Sequence, residues 1–241
     1  MCTVTLIPLK NSDFILTSNR DEAPNRIAVN PEIYNVNGVK LMYPKDKLSG
    51  GTWIGVSEKS RVICILNGAF KPHERQLEYR MSRGVVAKDF MVSENIMATI
   101  ETYNLIDIEP FTMIIADWNG TLKFYELVWD GKTKHISKLP LAPKIWSSSP
   151  LYNTTMKQER LQWFKNFNAA HTLNSKTLLN FHKTAGLGNA IYGVIMDWGF
   201  VKTTSITQIT KQDSVLSMYF EDLTSKTFST KSFNSLKSID D

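Results

Sequence analysis

The sequence predicts an α+β protein, a four-layer αββα sandwich with two antiparallel sheets between two helical layers. Three observations carry that expectation. β-type stretches come in pairs joined by short polar turns, which means hairpins and antiparallel pairing. Two blocks with helical spacing of apolar residues interrupt them. The resulting order is hairpins, two helices, a hairpin, two helices and a β meander. Each sheet then has an apolar face that a helix pair can cover. The 241 residues, 42% hydrophobic and 21% charged, suffice for one domain over residues 1–241 with a sizeable core.

Residues 3–8 and 13–18 are rich in β-branched and aromatic side chains and form a first hairpin across Leu9-Lys10-Asn11-Ser12. Residues 22–47, polar and holding Pro and Asn, read as a long irregular excursion. Residues 52–57 and 61–66 give a second hairpin. From residue 72 to 106, Leu77, Met81, Val85 and Phe90 recur at roughly helical intervals, and Ser93-Glu94 divides the block into two helices. Asn119-Gly120 is a strong turn signal between strands at 111–118 and 121–129. A further strand follows at 135–139. In the second helical block Met156, Leu161, Phe164 and Phe167 set one stripe, which Leu178, Leu179 and Phe181 continue. Residues 192–197, 200–209, 215–220 and 227–232 read as the closing meander.

Composition narrows the function. The net charge of +5 is spread without a basic block, a weak signal that does not point to nucleic acid. The two cysteines do not suggest a disulfide framework, and Cys64, inside Arg-Val-Ile-Cys-Ile-Leu, reads as a buried core thiol. No signal-peptide pattern and no membrane-spanning run is visible, so the expectation is a soluble, cytoplasmic protein. The four histidines are scattered without metal-ligand spacing, and no phosphate-binding glycine loop or serine-hydrolase elbow appears. No metal site is expected, the partner is a small-molecule ligand or substrate, and the oligomeric state is left open.

Five short stretches could carry chemistry. They are Met1-Cys2-Thr3, Ser18-Asn19-Arg20-Asp21-Glu22, Gly50-Gly51-Thr52-Trp53, Leu66-Asn67-Gly68 and Ser82-Arg83-Gly84. A thiol becomes a strong nucleophile beside a base. Cys is small enough to permit removal of Met1, and the α-amine of Cys2 would then titrate near 7.7–8.0, suited to a general base. Asp21 could orient that amine, and the Asn67 amide could donate to an oxyanion. Each residue also has a plain structural reading. Cys2 can be a small buried strand residue with Met1 retained, and Asp21 and Glu22 a strand-end turn or cap with Arg20 as ion-pair partner. Gly50-Gly51 can be a turn or a lip over a pocket, Trp53 a core residue, Asn67 a turn with Gly68, and Arg83 a solvated helix position.

These stretches together resemble the NRDE family, also called the transport and Golgi organisation protein 2 family. That family in turn resembles the N-terminal-nucleophile hydrolases, nearest the cysteine amidases such as choloylglycine hydrolases and Cys-type penicillin acylases. The resemblance places Cys2 on the nucleophile, Asn19 and Asp21 on the Asn and Asp of Asn-x-Asp, and Asn67 on an oxyanion-binding Asn. It implies catalytic Cys2, Asp21 and Asn67, with Asn19, Arg20, Gly51, Trp53 and Ser148 around the substrate. Two positions depart from the amidase pattern. Ser18 stands where those enzymes carry Arg, and Ser148 where they carry a second oxyanion Asn.

Two functions follow. One is an N-terminal-cysteine hydrolase of non-peptide amide bonds, which requires no cofactor. The other, implied by resemblance alone, is a haem or lipid/acyl-CoA binding and trafficking protein on the same scaffold, with haem as a possible ligand.

Overall fold

Two antiparallel sheets lie face to face in the computed structural model, which describes residues 2–234 and all their side chains except those of Cys2 and Asn234. The question of Met1 removal lies outside the described residues. In chain order the strands are β1 (Cys2–Pro8), β2 (Phe14–Glu22), β3 (Ala28–Val36), β4 (Val39–Asp46), β5 (Ile54–Ser57), β6 (Arg61–Asn67), β7 (Phe111–Asp117), β8 (Lys123–Trp129), β9 (Lys134–Leu139), β10 (Lys144–Ser147), β11 (Lys202–Gln212), β12 (Val215–Asp222) and β13 (Thr227–Asn234). The helices are α1 (Arg83–Val92), α2 (Ile96–Thr102), α3 (Thr154–Ala170) and α4 (Ser175–Thr184). One sheet runs β10-β1-β2-β11-β12-β13. The other runs β3 to β9 in sequence order.

Period-two alternation builds the layers. Val4, Leu6, Phe14 and Leu16 point inward and meet Met42, Ile54, Val56, Val62, Cys64 and Ile114 of the facing sheet. Ile7 and Ile15 point outward, against Phe164, Leu178 and Phe181 of α3 and α4. On the second sheet Ile63, Ile65, Met113 and Ile115 face outward against Val86, Phe90, Ile96 and Ile100 of α1 and α2. Burying each such side chain contributes about 1.5–3 kcal/mol. A one-residue slip of a strand would exchange its two faces, so the two apolar faces fix the register. The four layers are those the sequence predicts, and Cys64 is fully buried between the sheets.

Three expectations need correction, and one strand is new. Residues 22–47 are a hairpin, β3 and β4, closed at Asn37-Gly38 with φ of 52° and 83°. Both positive values fit a type I′ turn, for which Asn-Gly is the favoured pair. The first helix does not begin near residue 72. Residues 71–82 are irregular, Leu77 is fully exposed, and α1 starts after Ser82, whose side chain accepts a hydrogen bond from Val85 N as N-cap. Residues 192–197 form no strand; only an isolated bridge joins Asp197 to Lys202. The short strand β10, which no sequence signal announced, pairs with β1 through Thr3↔Ser147. Among the described residues no helix is long and apolar enough to cross a membrane.

Candidate active site

The end of β2 directs successive side chains to opposite sides of its sheet. Phe14 and Leu16 fix the inward phase, so Ser18 and Arg20 follow them between the sheets, while Asn19 and Asp21 face the helices. The neighbouring strand β1 runs antiparallel with Thr3 opposite Asn19 and Cys2 opposite Arg20. On the other side, β11 carries a bulge at Thr204, so that Thr203 pairs with Asp21 and Ser205 with Arg20.

Asp21 has no exposed surface. Tyr152 Oη donates to its Oδ2 at 2.7 Å and Thr203 Oγ1 to its Oδ1 at 2.8 Å. Burial pushes the carboxyl pKa up, against the nearby Arg160 charge and the Tyr152 hydroxyl, which favour the carboxylate. Arg160 is also fully buried. Its guanidinium lies 3.6 Å from the centroid of the Tyr152 ring and donates to Thr3 Oγ1, Tyr192 O and Gly193 O. Sequence reading missed Arg160 and Tyr152. A signal was present, since Arg160 stands four residues after Met156 and four before Phe164, on the apolar stripe itself. The predicted stripe member Leu161 is instead 40% exposed.

Asn19 faces the same layer but spends its whole amide internally. Its Nδ2 donates to His182 O and Val194 O at 2.9 and 2.7 Å, and its Oδ1 lies 2.5 Å from His182 Nδ1. It therefore ties β2 to the end of α4 and presents no group to a substrate.

On the inward side Arg20 borders a cleft of about 370 Å³ at the end of the sandwich. Its guanidinium sits 4.6 Å over the Trp53 ring and pairs with Asp46 at 2.6 Å. Asp46 also takes Arg26 at 2.8 Å on the same oxygen, and its other oxygen accepts Leu48 N and Ser49 N. Burial alone would raise the Asp46 pKa, but these N–H donors and the two arginines hold it below the ordinary value. Glu22, at the cleft edge, is lowered too despite its burial, with Ala23 N and the charges of Arg20 and Arg26 among the groups that favour its carboxylate. Trp53 Nε1 is buried without a hydrogen-bond partner among the described residues, as is the hydroxyl of Ser18.

Asn67 closes β6 and lines the cleft, and no described residue hydrogen-bonds its side-chain amide. Its carbonyl accepts from Ser148 Oγ at 3.0 Å. Ser148 thus holds Asn67 in place, and its own hydroxyl is occupied. Gly68, at φ +81°, lies so close to Pro150 that a Cβ would meet Pro150 Cδ at 2.4 Å. Gly51 lines the cleft and is in close contact with α1: a Cβ on Gly84 would come within 2.8 Å of Thr52 N and 3.1 Å of Gly51 Cα. The glycine-bearing stretches at 50–53 and 82–84 therefore meet backbone to backbone. That contact places Arg83 in the cleft wall, where it pairs with Glu109 at 2.9 Å. Among the described residues no group of three or more His, Cys, Asp or Glu could hold a metal ion.

Two antiparallel sheets between helix pairs give the chain an N-terminal-nucleophile-hydrolase-like fold, and a cysteine starts an inner strand beside Asn-Arg-Asp-Glu. Residues 1–190 match the family described as Transport and Golgi organisation 2, and the chain belongs to it. Similar solved structures include a Caenorhabditis elegans ortholog of N-acylethanolamine-hydrolyzing acid amidase, at 11% identity and TM-score 0.59, covering 86% of this chain and 92% of that one. Penicillin V acylase from Agrobacterium tumefaciens aligns at 10% identity and TM-score 0.54 over 99% and 94% of the two chains. A single-residue variant of conjugated bile acid hydrolase from Clostridium perfringens aligns at 11% identity and TM-score 0.51 over 97% of each. At such identities these likenesses establish the fold alone. No curated protein matches the chain by sequence.

Proposed function

We propose that the chain is an N-terminal-cysteine hydrolase that cleaves a non-peptide amide bond in a small molecule. The register of β1 on β2 carries this reading: the strand ends at Cys2, opposite Arg20 and one step short of the position opposite Asp21. Paired positions share a sheet face. Position 2 therefore belongs to the face from which Arg20 borders the cleft, and its main-chain nitrogen lies at the ladder end nearest Asp21.

After removal of Met1, the Cys2 α-amine takes the thiol proton and the sulfur attacks the substrate carbonyl carbon. The C–N bond breaks as that proton passes to the leaving amine, leaving an acyl thioester. Water gives a proton to the amine and attacks the thioester; the C–S bond breaks, the acid departs and the thiol is restored. Asn67 supplies an amide N–H to the oxyanion, supported by the absence of any other described partner for that amide. Asp21 orients the α-amine from within its Tyr152–Thr203 network.

Intact-mass spectrometry of the purified protein incubated with chromogenic N-acyl anilides tests the reading. The expected result is a chain lacking Met1, an acyl adduct on Cys2 and loss of both turnover and adduct in Cys2→Ala. Turnover that survives Cys2→Ala, or that proceeds with Met1 attached, sinks it. Tight ligand binding without any adduct would instead favour carriage on the same scaffold.

A further inference from the structure

The cleft is walled on one side by the irregular segment 71–82, which the catalytic reading leaves without a role. Its ends are anchored. His73 Nε2 reaches Glu109 at 3.4 Å, and Arg80 donates to the carbonyls of Asn104 and Ile106. Along this irregular segment Leu77, Tyr79 and Met81 line the cleft. Leu77 is fully exposed, so it has no packing of its own to lose when a ligand covers it.

The charges divide unequally. Four guanidiniums and three carboxylates line the cleft. Arg20 and Arg26 both pair with Asp46, and Arg83 pairs with Glu109. Arg75 lines the same cleft, is exposed, and has no ion pair or hydrogen bond among the described residues. Its positive charge acts on Arg83, which burial already disfavours as a cation.

We propose that Arg75 and Leu77 form the specificity lip of the cleft, selecting acyl conjugates in which an apolar chain is joined to an anionic group, carboxylate or phosphate. Leu77 covers the chain beside Met81, and Arg75 takes the anion. This rests on the cleft being the substrate site of the proposed hydrolase, but it concerns binding and not turnover.

The test is calorimetric titration of the Cys2→Ala chain with three matched probes below their micelle concentrations: N-dodecanoylethanolamine, its O-phosphate and N-dodecanoylglycine. Both anionic probes are expected to bind about fivefold more tightly than the neutral one, the worth of one partly screened charge contact. Preference for only one of them identifies the anion as phosphate or carboxylate. Arg75→Ala removes the preference and leaves the neutral probe unchanged. Leu77→Ser weakens all three alike. Equal affinities in the Cys2→Ala chain, a preference that survives Arg75→Ala, or no binding at all overturns the proposal. If the anionic preference is found while the native chain cleaves none of the probes, the cysteine mechanism fails and the lip assignment stands.

Discussion

His182 Nδ1 lies 2.5 Å from Asn19 Oδ1, with both side chains fully buried between β2 and α4. The Asn19 Nδ2 donates to two carbonyls, so Oδ1 must accept, and His182 carries its proton on Nδ1. Thr5 Oγ1 then donates to His182 Nε2 at 2.8 Å. Burial and the Arg160 charge push the His182 pKa down from 6.5 to about 3. The unfolded chain therefore binds this proton more readily than the folded one. Stability is fully expressed above about pH 6.5 and falls with acidification, by up to about 1.4 kcal/mol per pH unit from this group. Urea unfolding at pH 7.5 and 5.0 should show the loss, and His182→Gln should flatten the slope. A slope equal in both proteins would contradict the buried neutral ring.

Asn19→Ala removes the amide that three buried groups share: the carbonyls of His182 and Val194, the second of which keeps only the longer Thr203 Oγ1 contact at 3.4 Å, and His182 Nδ1. A loss of about 3 kcal/mol in unfolding free energy is expected. The residue presents nothing to the cleft, so any ligand affinity measured on the remaining folded chain should equal that of the unaltered protein.

Gly84→Ala tests the contact between α1 and the 50–53 stretch. The new Cβ would lie 2.8 and 2.9 Å from the Thr52 backbone nitrogen and oxygen, which cannot swing aside as a side chain would. Destabilisation of about 2 kcal/mol or more is expected from such overpacking. Differential scanning calorimetry should register it as a lowered Tm, with Val86→Ala as a control that removes core without crowding the backbone.

Much of this was legible in the sequence because it rests on local rules. Alternation in residues 3–8 and 13–18 gives the β1–β2 hairpin, and that hairpin brings Cys2 to Arg20. The Asn119-Gly120 turn gives β7 and β8. Asn37-Gly38 carried the same signal, but the polar residues of the mostly exposed β3 masked its pairing with the largely buried β4. Leu77 and Met81 mimicked helical spacing, yet they belong to the irregular segment 71–82 and line a cleft. Tyr152 and Arg160 could not be joined to Asp21 from sequence, because that contact spans 131 positions and depends on how α3 crosses the sheet.

Asp46→Ala removes the carboxylate that both Arg20 and Arg26 share. Arg20 would be left with Glu22 at 3.7 Å as its nearest acid while still buried. Removing one partner of a buried pair costs about 3–5 kcal/mol. The folded Asp46 pKa lies below its unfolded value. Its contribution is present above about pH 4 and is lost as pH falls through the lowered folded value. Chemical denaturation at neutral pH should show the deficit in Asp46→Ala, narrowing at acid pH.

Tyr152→Phe separates Asp21 from one of its two hydroxyl donors while keeping the ring against Arg160. The Tyr152 hydroxyl favours the Asp21 carboxylate, so its loss raises further a pKa already lifted by burial. If the carboxylate orients the Cys2 amine, the acid limb of the pH profile of kcat/KM moves to higher pH, and activity above that limb changes little. Thr203→Val removes the other donor and should shift the limb in the same direction, while the double variant shifts it further. The same order must appear in the Asp21 titration followed by carboxyl-carbon NMR, which needs no substrate. A limb that stays fixed while the NMR titration moves would show that Asp21 does not govern the amine.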